Sequence, residues 1–457
     1  MDLFASADQR PVHFMGIGGA GMSALALLAR RRGVAVTGCD TDLSGAADLI
    51  ACGIPVAASH DPAHVTQVRA VVVTAAVPPD HPELAAARSL GIPVIPRKAA
   101  LGALCAGRET VALSGTHGKT TTTVMTTEAL AAAGLEPTGL AGGRVGVWGG
   151  NARVGADRVF VVEADEYDQA FLALQPTIAV VNNVEADHLE CYGSVEALED
   201  AFVTFAARAG VALVGADDAG ARRIAARLAG TRVVTFGVSA DATARLTHIE
   251  QQPGRTTARV RVAGQERTLT LQVPGLHNLR NATAALLAAH ELGADLTAAL
   301  DALARFTGVG RRFERVGAAH GVEIVDDYAH HPTEVAATLE AARQAFPGRR
   351  VVAVFQPHLY SRTQQHGDAL GAALAHADVA VVTEIYAARE QPVAGVSGRQ
   401  VAEAAERAGT RTLFVADKSA LPATLEGLVA EGDVVFTLGA GDITRVGPAL
   451  LQLLEAR

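Results

Sequence analysis

Lysine is nearly missing from this chain of 457 residues: it stands only at positions 98, 119 and 418, while arginine is plentiful. A lysine inside a glycine-rich loop is therefore no accident here. Cysteine is scarce too. Cys39, Cys52, Cys105 and Cys191 include no CxxC pair. That excludes a disulfide scaffold and argues against a structural zinc site. The four read as free thiols of a reducing cytosol. No uncharged apolar run reaches the roughly 18 residues that a membrane-spanning helix needs. The start, Met1 to Arg10, has an early acid and no apolar core, so no secretory signal is expected. A basic excess is also lacking: Lys+Arg total 39 against Asp+Glu 48, a net charge of −9. That disfavours a protein that coats nucleic acid. Charged residues are 19% and hydrophobic ones 49%, which excludes disorder over most of the length. A cytoplasmic protein without nucleic-acid or membrane partners is expected; the oligomeric state is left open.

At about 150 residues per domain, the length predicts about three domains. Short apolar strands alternate with helical stretches. Strands are expected at 12–15, 34–38, 69–74 and 91–95, with a helix at 23–32. A polar stretch, Ala106 to Glu109, precedes a new strand at 110–113. Further strands are expected at 159–163 and 177–181, and a local antiparallel element at 256–273. Helices are expected at 278–290 and 296–306, and Gly308-Val309-Gly310 reads as a hinge. Strands then recur at 322–326, 350–356, 379–383, 412–415 and 434–438. This rhythm predicts parallel sheets covered by helices. The expected fold is α/β with three α/β domains: Rossmann-like at 1–107, P-loop-ATPase-like at 108–308, and Rossmann-like at 309–457.

The strongest motif is Gly115-Thr116-His117-Gly118-Lys119-Thr120-Thr121, between a strand and a helical run. Glycines let backbone N–H groups wrap an anion, and the following helix adds its positive end. Lys119 suits terminal phosphates, and Thr120 offers a hydroxyl to Mg²⁺. A plain glycine turn with a surface lysine is the alternative. The order of strand, loop, Lys-Thr and helix favours a shortened P-loop. Glu163-Ala164-Asp165-Glu166-Tyr167-Asp168 ends a hydrophobic strand, where nucleotide enzymes place a Mg²⁺ ligand. A solvated acidic turn accounts for Glu166 or Asp168, not for all four acids. Asn182 to His188 follows another strand, and His188 can complete a metal shell.

Asn278 and Asn281 open a helix, where asparagine is usually a cap but also suits an adenine edge. Arg311-Arg312 offers a guanidinium fork for a phosphate. Two polar clusters end strands of the last segment: Asp326-Asp327-Tyr328-Ala329-His330-His331 and Gln356 to Thr363. Ligands of open α/β sheets bind outside such carboxyl ends. Finally, Gly16-Ile17-Gly18-Gly19-Ala20-Gly21 with Asp40 matches the GxGxxG fingerprint. Alone it indicates NAD, but the same turn binds any pyrophosphate.

Taken in order, these stretches resemble the Mur ligase family of peptidoglycan synthesis, and within it the alanine-adding branch. The resemblance covers nearly the whole chain. It implies an enzyme that joins L-alanine to the carboxylate of UDP-N-acetylmuramate, with ATP and Mg²⁺ as cofactors. It assigns the UDP-sugar to Gly16, Ile17, Gly18, Gly19, Gly21, Met22 and Ser23, with Asp40, His60 and Thr74 nearby. ATP falls to Gly115 through Thr121, with Asn281 at adenine and Arg312 and Asp327 at phosphates or ribose. Mg²⁺ falls to Thr120, Glu163 and His188. The amino acid falls to Tyr328, His330, His358 and Arg362. Lys119, Glu163, His188, Arg312 and His330 are the implied catalytic set.

Three positions depart from the family's pattern. Leu359 stands where many relatives carry arginine. Thr74-Ala75-Ala76 keeps a hydroxyl only at its first position. Phe202 is the nearest position to a lysine that several other Mur ligases carbamylate, a residue the alanine-adding branch also lacks. Two rivals remain: a recycling ligase that attaches a preformed peptide to the same sugar nucleotide, and an NAD-dependent oxidoreductase. The second explains residues 16–40 and leaves Lys119 without a role.

Overall fold

Valine, isoleucine and alanine fill short strands, and glycine or polar residues end them. The structure, a computed structural model, describes residues 8–388 and 390–457. The chain start on which the expectation about a secretory segment rests falls mostly outside these residues. No helix among the described residues is long and apolar enough to cross a membrane. The chain divides into two compact units. One runs to His248 and adds Ala258–Thr270 and Arg280–Arg305; the other holds Ile249–Thr257, Leu271–Leu279 and Phe306–Arg457.

The first unit begins with β1 (Val12–Met15), β2 (Val36–Cys39), β3 (Val56–Ala57), β4 (Ala70–Val73) and β5 (Val94–Pro96). They form a parallel sheet of order β3-β2-β1-β4-β5. The order reverses at β1, so the glycine turn after β1 sits at the switch point, where ligands of such sheets bind. The following helix starts at Ala20, earlier than expected, because Gly19 itself is the N-cap. Strand β2 starts at Val36, not Val34: Gly33 is left-handed and Val34 N–H still closes the helix onto Ala29.

Next come β6 (Glu109–Ser114), β7 (Thr138–Val145), β8 (Gly150–Arg153), β9 (Val159–Glu163), β10 (Ile178–Val181), β11 (Val211–Gly215) and β12 (Arg232–Gly237). Their order is β12-β11-β10-β6-β9-β7-β8. Every neighbouring pair is parallel except β7 with β8. The β-rich stretch expected from residue 256 begins already at β13 (Ala244–Gln252) and continues as β14 (Arg255–Val262) and β15 (Gln265–Leu271). The first expected domain and most of the second fall in one unit, and polar ties join them. Arg31 donates to the carbonyls of Trp148 and Gly149 at 3.0 and 2.9 Å. Arg144 grips both oxygens of Asp48 at 2.8 and 3.0 Å. Phe202 is fully buried edge-on against Phe171, so the position carries packing and no polar group.

The second unit holds β16 (Glu314–Ala319), β17 (Val322–Asp327), β18 (Val351–Phe355), β19 (Val379–Thr383), β20 (Arg411–Val415) and β21 (Val434–Leu438). The order is β16-β17-β21-β18-β19-β20, with β16 an antiparallel edge and the rest parallel. Separate apolar clusters cover the alternate faces of these strands: Val325, Ala353 and Phe436 belong to one, Ile324, Val352 and Val435 to the other. Burial on both faces is why the central strands read as continuous apolar runs.

Candidate functional site

The phosphate loop leaves the carboxyl end of β6, and β6 lies between β10 and β9. The loop bearing His188 and the loop bearing Glu163 therefore flank it on either side. Gly115 and Gly118 have φ of +131° and +81°, values that a side chain disfavours. Gly118 is the N-cap of the helix Lys119–Ala132, so the free N–H groups of its first turn face the loop. The asparagines after β10 hold the loop in shape. Asn183 accepts the His117 N–H at 2.7 Å and, through its carbonyl, the Thr116 N–H at 3.1 Å. Asn182 donates to the Thr122 hydroxyl at 3.0 Å. Asn281 is buried, and its Oδ1 would lie 2.7 Å from a Cβ at Gly118.

Lys119 does not point into solvent. Its ammonium donates to the Gly115 carbonyl at 2.7 Å and to both oxygens of Glu166 at 2.8 Å. Burial works against the ammonium, but Glu166, Asp165 and Glu163 outweigh it and hold its pKa above the ordinary value. Burial pushes Glu166 upward, with Lys119 the chief opposing influence. Glu166 is 2% exposed and is the lysine's partner, not part of a solvated turn. Sequence reasoning missed that role.

The three expected Mg²⁺ ligands come from adjacent places. Thr120 begins the helix behind the loop, Glu163 ends β9, and His188 is the left-handed residue that caps the next helix. Burial lowers the His188 pKa, but Glu190, Asp187 and Glu166 together leave it above the ordinary value. A Cβ on Gly142, in β7, would lie 2.1 Å from Glu163 Oε2. The missing side chain at Gly142 is thus what makes room for the Glu163 carboxylate. A hydroxyl, a carboxylate and an imidazole, one from each of these elements, are donor types that suit a divalent cation. Gly142→Ala is expected to displace Glu163 and raise the Mg²⁺ needed for half-maximal activity by about tenfold. A Mg²⁺ titration of the variant checks this, and an unchanged requirement would contradict it.

In the first sheet, Gly16 has φ +76°, and a Cβ there would lie 2.6 Å from Thr74 Cγ2. Asp40 accepts the N–H groups of Gly18 and Asp42 at 2.9 and 3.1 Å, which pins the turn. Ile17 and Met22 are buried in the core, and the Ser23 hydroxyl is bonded to Ala20 and Asn151. These side chains hold the turn, and the Gly18 and Gly19 N–H groups are themselves taken up by Asp40 and by the Gly16 carbonyl. His60 contacts Glu83 and Cys39, at 3.0 and 3.1 Å. Arg97 lies over Gly21, 2.7 Å from where a Cβ would be, and 3.6 Å from Asp165. A guanidinium at this turn suits a pyrophosphate. Its only sequence signal is a basic pair directly after β5.

In the second unit, the structure brings Tyr328, His330, His358 and Arg362 together. The His330 ring lies 5.2 Å from that of Tyr328 and 5.7 Å from that of His358, centre to centre, and Arg362 reaches His358 Nδ1 at 3.1 Å. Glu334, which sequence reasoning did not single out, lies 3.2 Å from His330 Nδ1 and 3.6 Å from Arg312. Arg311 and Arg312 both lie over the Tyr328 ring, at 4.9 and 4.8 Å, and Arg311 also clamps Asp326 and the Gly439 carbonyl. Leu359 has φ +67° at the start of the helix Tyr360–Leu374.

Asp327 accepts the N–H groups of Phe313 and Ala329 at 2.7 and 2.8 Å. Burial pushes its pKa from 3.8 up to about 6, against the pull of Arg312. The folded state therefore holds this proton more tightly than the unfolded chain. The resulting stability is complete below 3.8 and is lost as the pH rises through about 6. Stability of the wild type relative to Asp327→Asn is expected to improve as pH falls from about 7 to about 4.5. Urea midpoints at both pH values check this; a difference that ignores pH would contradict it.

A phosphate loop at the end of a parallel strand, flanked by an acid-bearing and a histidine-bearing loop, defines a nucleotide-binding α/β protein. The chain belongs to the Mur ligase family. Residues 11–109 match the Mur ligase family catalytic domain, 113–289 the Mur ligase middle domain, and 311–441 the Mur ligase glutamate ligase domain. UDP-N-acetylmuramate–L-alanine ligase of Kineococcus radiotolerans is 50% identical, over 98% of this chain and 96% of that protein. The same ligase of Cutibacterium acnes is 46% identical over the same shares. The solved UDP-N-acetylmuramate–alanine ligase of Thermotoga maritima is 31% identical, with TM-score 0.84 over 98% of this chain and 99% of that one. A murein peptide ligase of Psychrobacter arcticus, 24% identical with TM-score 0.72 over 97% and 98%, shares the fold.

Proposed function

We propose that this protein joins L-alanine to the carboxylate of UDP-N-acetylmuramate in the cytoplasm, using ATP and Mg²⁺ and releasing ADP and phosphate. The observation that carries the reading is the loop Gly115–Thr121 between the Glu163 and His188 loops, in a chain 50% identical to a ligase of that name. A carboxylate does not react with an amine unaided. Transfer of the γ-phosphoryl group to the muramyl carboxylate forms an acyl phosphate, and the alanine amine displaces phosphate from it. The loop's N–H groups and Lys119, once it exchanges Glu166 for phosphate, stabilise the charge on the transferring group. Thr120, Glu163 and His188 would hold Mg²⁺, which when bound neutralises phosphate charge. By the family resemblance, Arg312 and Asp327 are assigned to ATP phosphates or ribose, and Asn281 to adenine. Arg362 is assigned to the alanine carboxylate, with Tyr328, His330 and His358 around it. The glycine turn, Asp40, Thr74 and His60 are assigned to the UDP-sugar, and Arg97 joins them on the geometry above.

The test is phosphate release from ATP and Mg²⁺ with UDP-N-acetylmuramate present and L-alanine, L-serine, glycine or a muramyl tripeptide as acceptor. Release that depends on L-alanine is expected. Release with the tripeptide alone would move the protein to the recycling reaction, and none with any acceptor would overturn the proposal. Small acceptors differ by only about 1–3 kcal/mol per methylene, so some turnover of glycine or serine is expected too.

A further inference from the structure

His13, His60, His64 and His81 are the only histidines before the phosphate loop. They come from β1, the segment after β3, and the start of the helix Pro82–Ser89, yet all gather around one carboxylate, Glu83. Glu83 is fully buried, and glutamate almost never is unless strongly partnered. Its oxygens accept the Asp61 N–H at 3.0 Å and lie 2.8 Å from His64 Nδ1 and 3.0 Å from His60 Nδ1. Cys39, at the end of β2 and also fully buried, puts its sulfur 3.4 Å from Glu83 and 3.3 Å from His13 Nε2. His13 Nε2 is 4.0 Å from Glu83. The donor atoms of His13, Cys39, His64 and Glu83 all lie within 4.8 Å of one another.

We propose that His13, Cys39, His64 and Glu83 form a binding site for a zinc-class divalent cation, separate from the Mg²⁺ ligands and behind the glycine turn. Tetrahedral zinc with bonds of about 2.0–2.3 Å separates its ligand atoms by about 3.3–3.8 Å. Four of the six separations are 2.8, 3.3, 3.4 and 4.0 Å, which straddle that range, and all six lie within 4.8 Å. Two imidazoles, a thiolate and a carboxylate are the donors such a cation selects, and Mg²⁺ does not. Outer contacts are in place as well. Thr37 Oγ1, 3.0 Å from His13 Nδ1, can take that proton and leave the Nε2 lone pair facing inward. Burial pushes His13 down to about 4, so the ring is neutral, the form that binds metal. Burial and Glu83 raise the Cys39 thiol. Binding therefore forms the metal–sulfur bond as the thiol proton leaves to solvent, and His64 moves its proton to Nε2. The Cys39 carbonyl accepts the Gly16 and Ile17 N–H groups, so the cation would clip β1, β2 and the helix together just behind the turn. The absence of a CxxC pair hid this site, because its ligands are far apart in sequence.

The probe is Co²⁺ added to the chelator-stripped full chain, followed by Zn²⁺. One equivalent of Co²⁺ is expected to give tetrahedral visible bands and a thiolate-to-cobalt charge-transfer band. One equivalent of Zn²⁺ should erase both and raise the melting temperature, while excess Mg²⁺ should not. Cys39→Ala should abolish the charge-transfer band, and His64→Ala should weaken Co²⁺ binding at least about tenfold. Cys191→Ser, near His188, should leave the band intact, which separates this site from the Mg²⁺ ligands. Should Cys39→Ala not fold, Zn²⁺ protection of Cys39 from alkylation in the wild type, read by mass spectrometry, decides. A band that is missing, or that survives Cys39→Ala, or Cys39 alkylated equally with and without Zn²⁺, would overturn the proposal in favour of a purely hydrogen-bonded cluster.

Discussion

Lys119→Met is expected to lower kcat by about 10³-fold, because in the proposed mechanism Lys119 is the loop's cation that stabilises the transferring phosphoryl group. The same change should also destabilise the protein. Glu166 is 2% exposed and both its oxygens are bound to Lys119. Removing one partner of a buried ion pair strands the other, at about 3–5 kcal/mol. The two effects separate in a second variant. Lys119→Met with Glu166→Gln removes the stranded charge, so the urea midpoint should return most of the way while kcat stays low. Recovery of turnover in the double variant would mean that Lys119 matters through folding alone, and the catalytic assignment would fall.

Glu163→Gln keeps the shape of the side chain and removes its charge. Turnover is expected to fall about 10²-fold at fixed Mg²⁺, and the Mg²⁺ requirement to rise by about 10–100-fold. Stability should change little, because Glu163 is half-buried at the open end of β9 rather than inside the core. His188→Ala should act in the same direction. The two changes together should cost less than the product of their separate effects, because both act on one ion. Superimposable Mg²⁺ titrations of wild type and Glu163→Gln would contradict the assignment.

The chemistry-bearing loops were legible because each follows a strand of Val, Ile and Ala that is buried on both faces. Val159–Glu163, Val379–Thr383 and Val434–Leu438 match their expected bounds. Edges shifted where glycine ends a helix late. Gly91 is left-handed, and Ile92 still bonds back to Ala87, so β5 begins at Val94 rather than at residue 91. Strands β7 and β8 escaped notice because Thr138–Val145 and Gly150–Arg153 are rich in glycine and alanine, which have little strand propensity. Their glycines serve a tertiary purpose, seen at Gly142 beneath Glu163. The roles of Glu166, Glu334 and Arg97 were illegible for a related reason. Each depends on which residue distant in sequence a side chain meets, and local pattern carries no trace of that. Dense polar runs such as Asp326–His331 could be flagged as a cluster, but not divided into Arg311's structural partner Asp326 and the raised carboxyl of Asp327.

The most direct test of phosphoryl transfer to the muramyl carboxylate follows the carboxylate's own oxygen. UDP-N-acetylmuramate labelled with a heavy oxygen isotope in that group is turned over with ATP, Mg²⁺ and L-alanine, and the released phosphate is analysed by mass spectrometry. An acyl phosphate requires one labelled oxygen to leave with each phosphate, and that is the expected result. The amide keeps the other carboxylate oxygen in either case; unlabelled phosphate, with the departing label found in water or in AMP instead, would contradict the account.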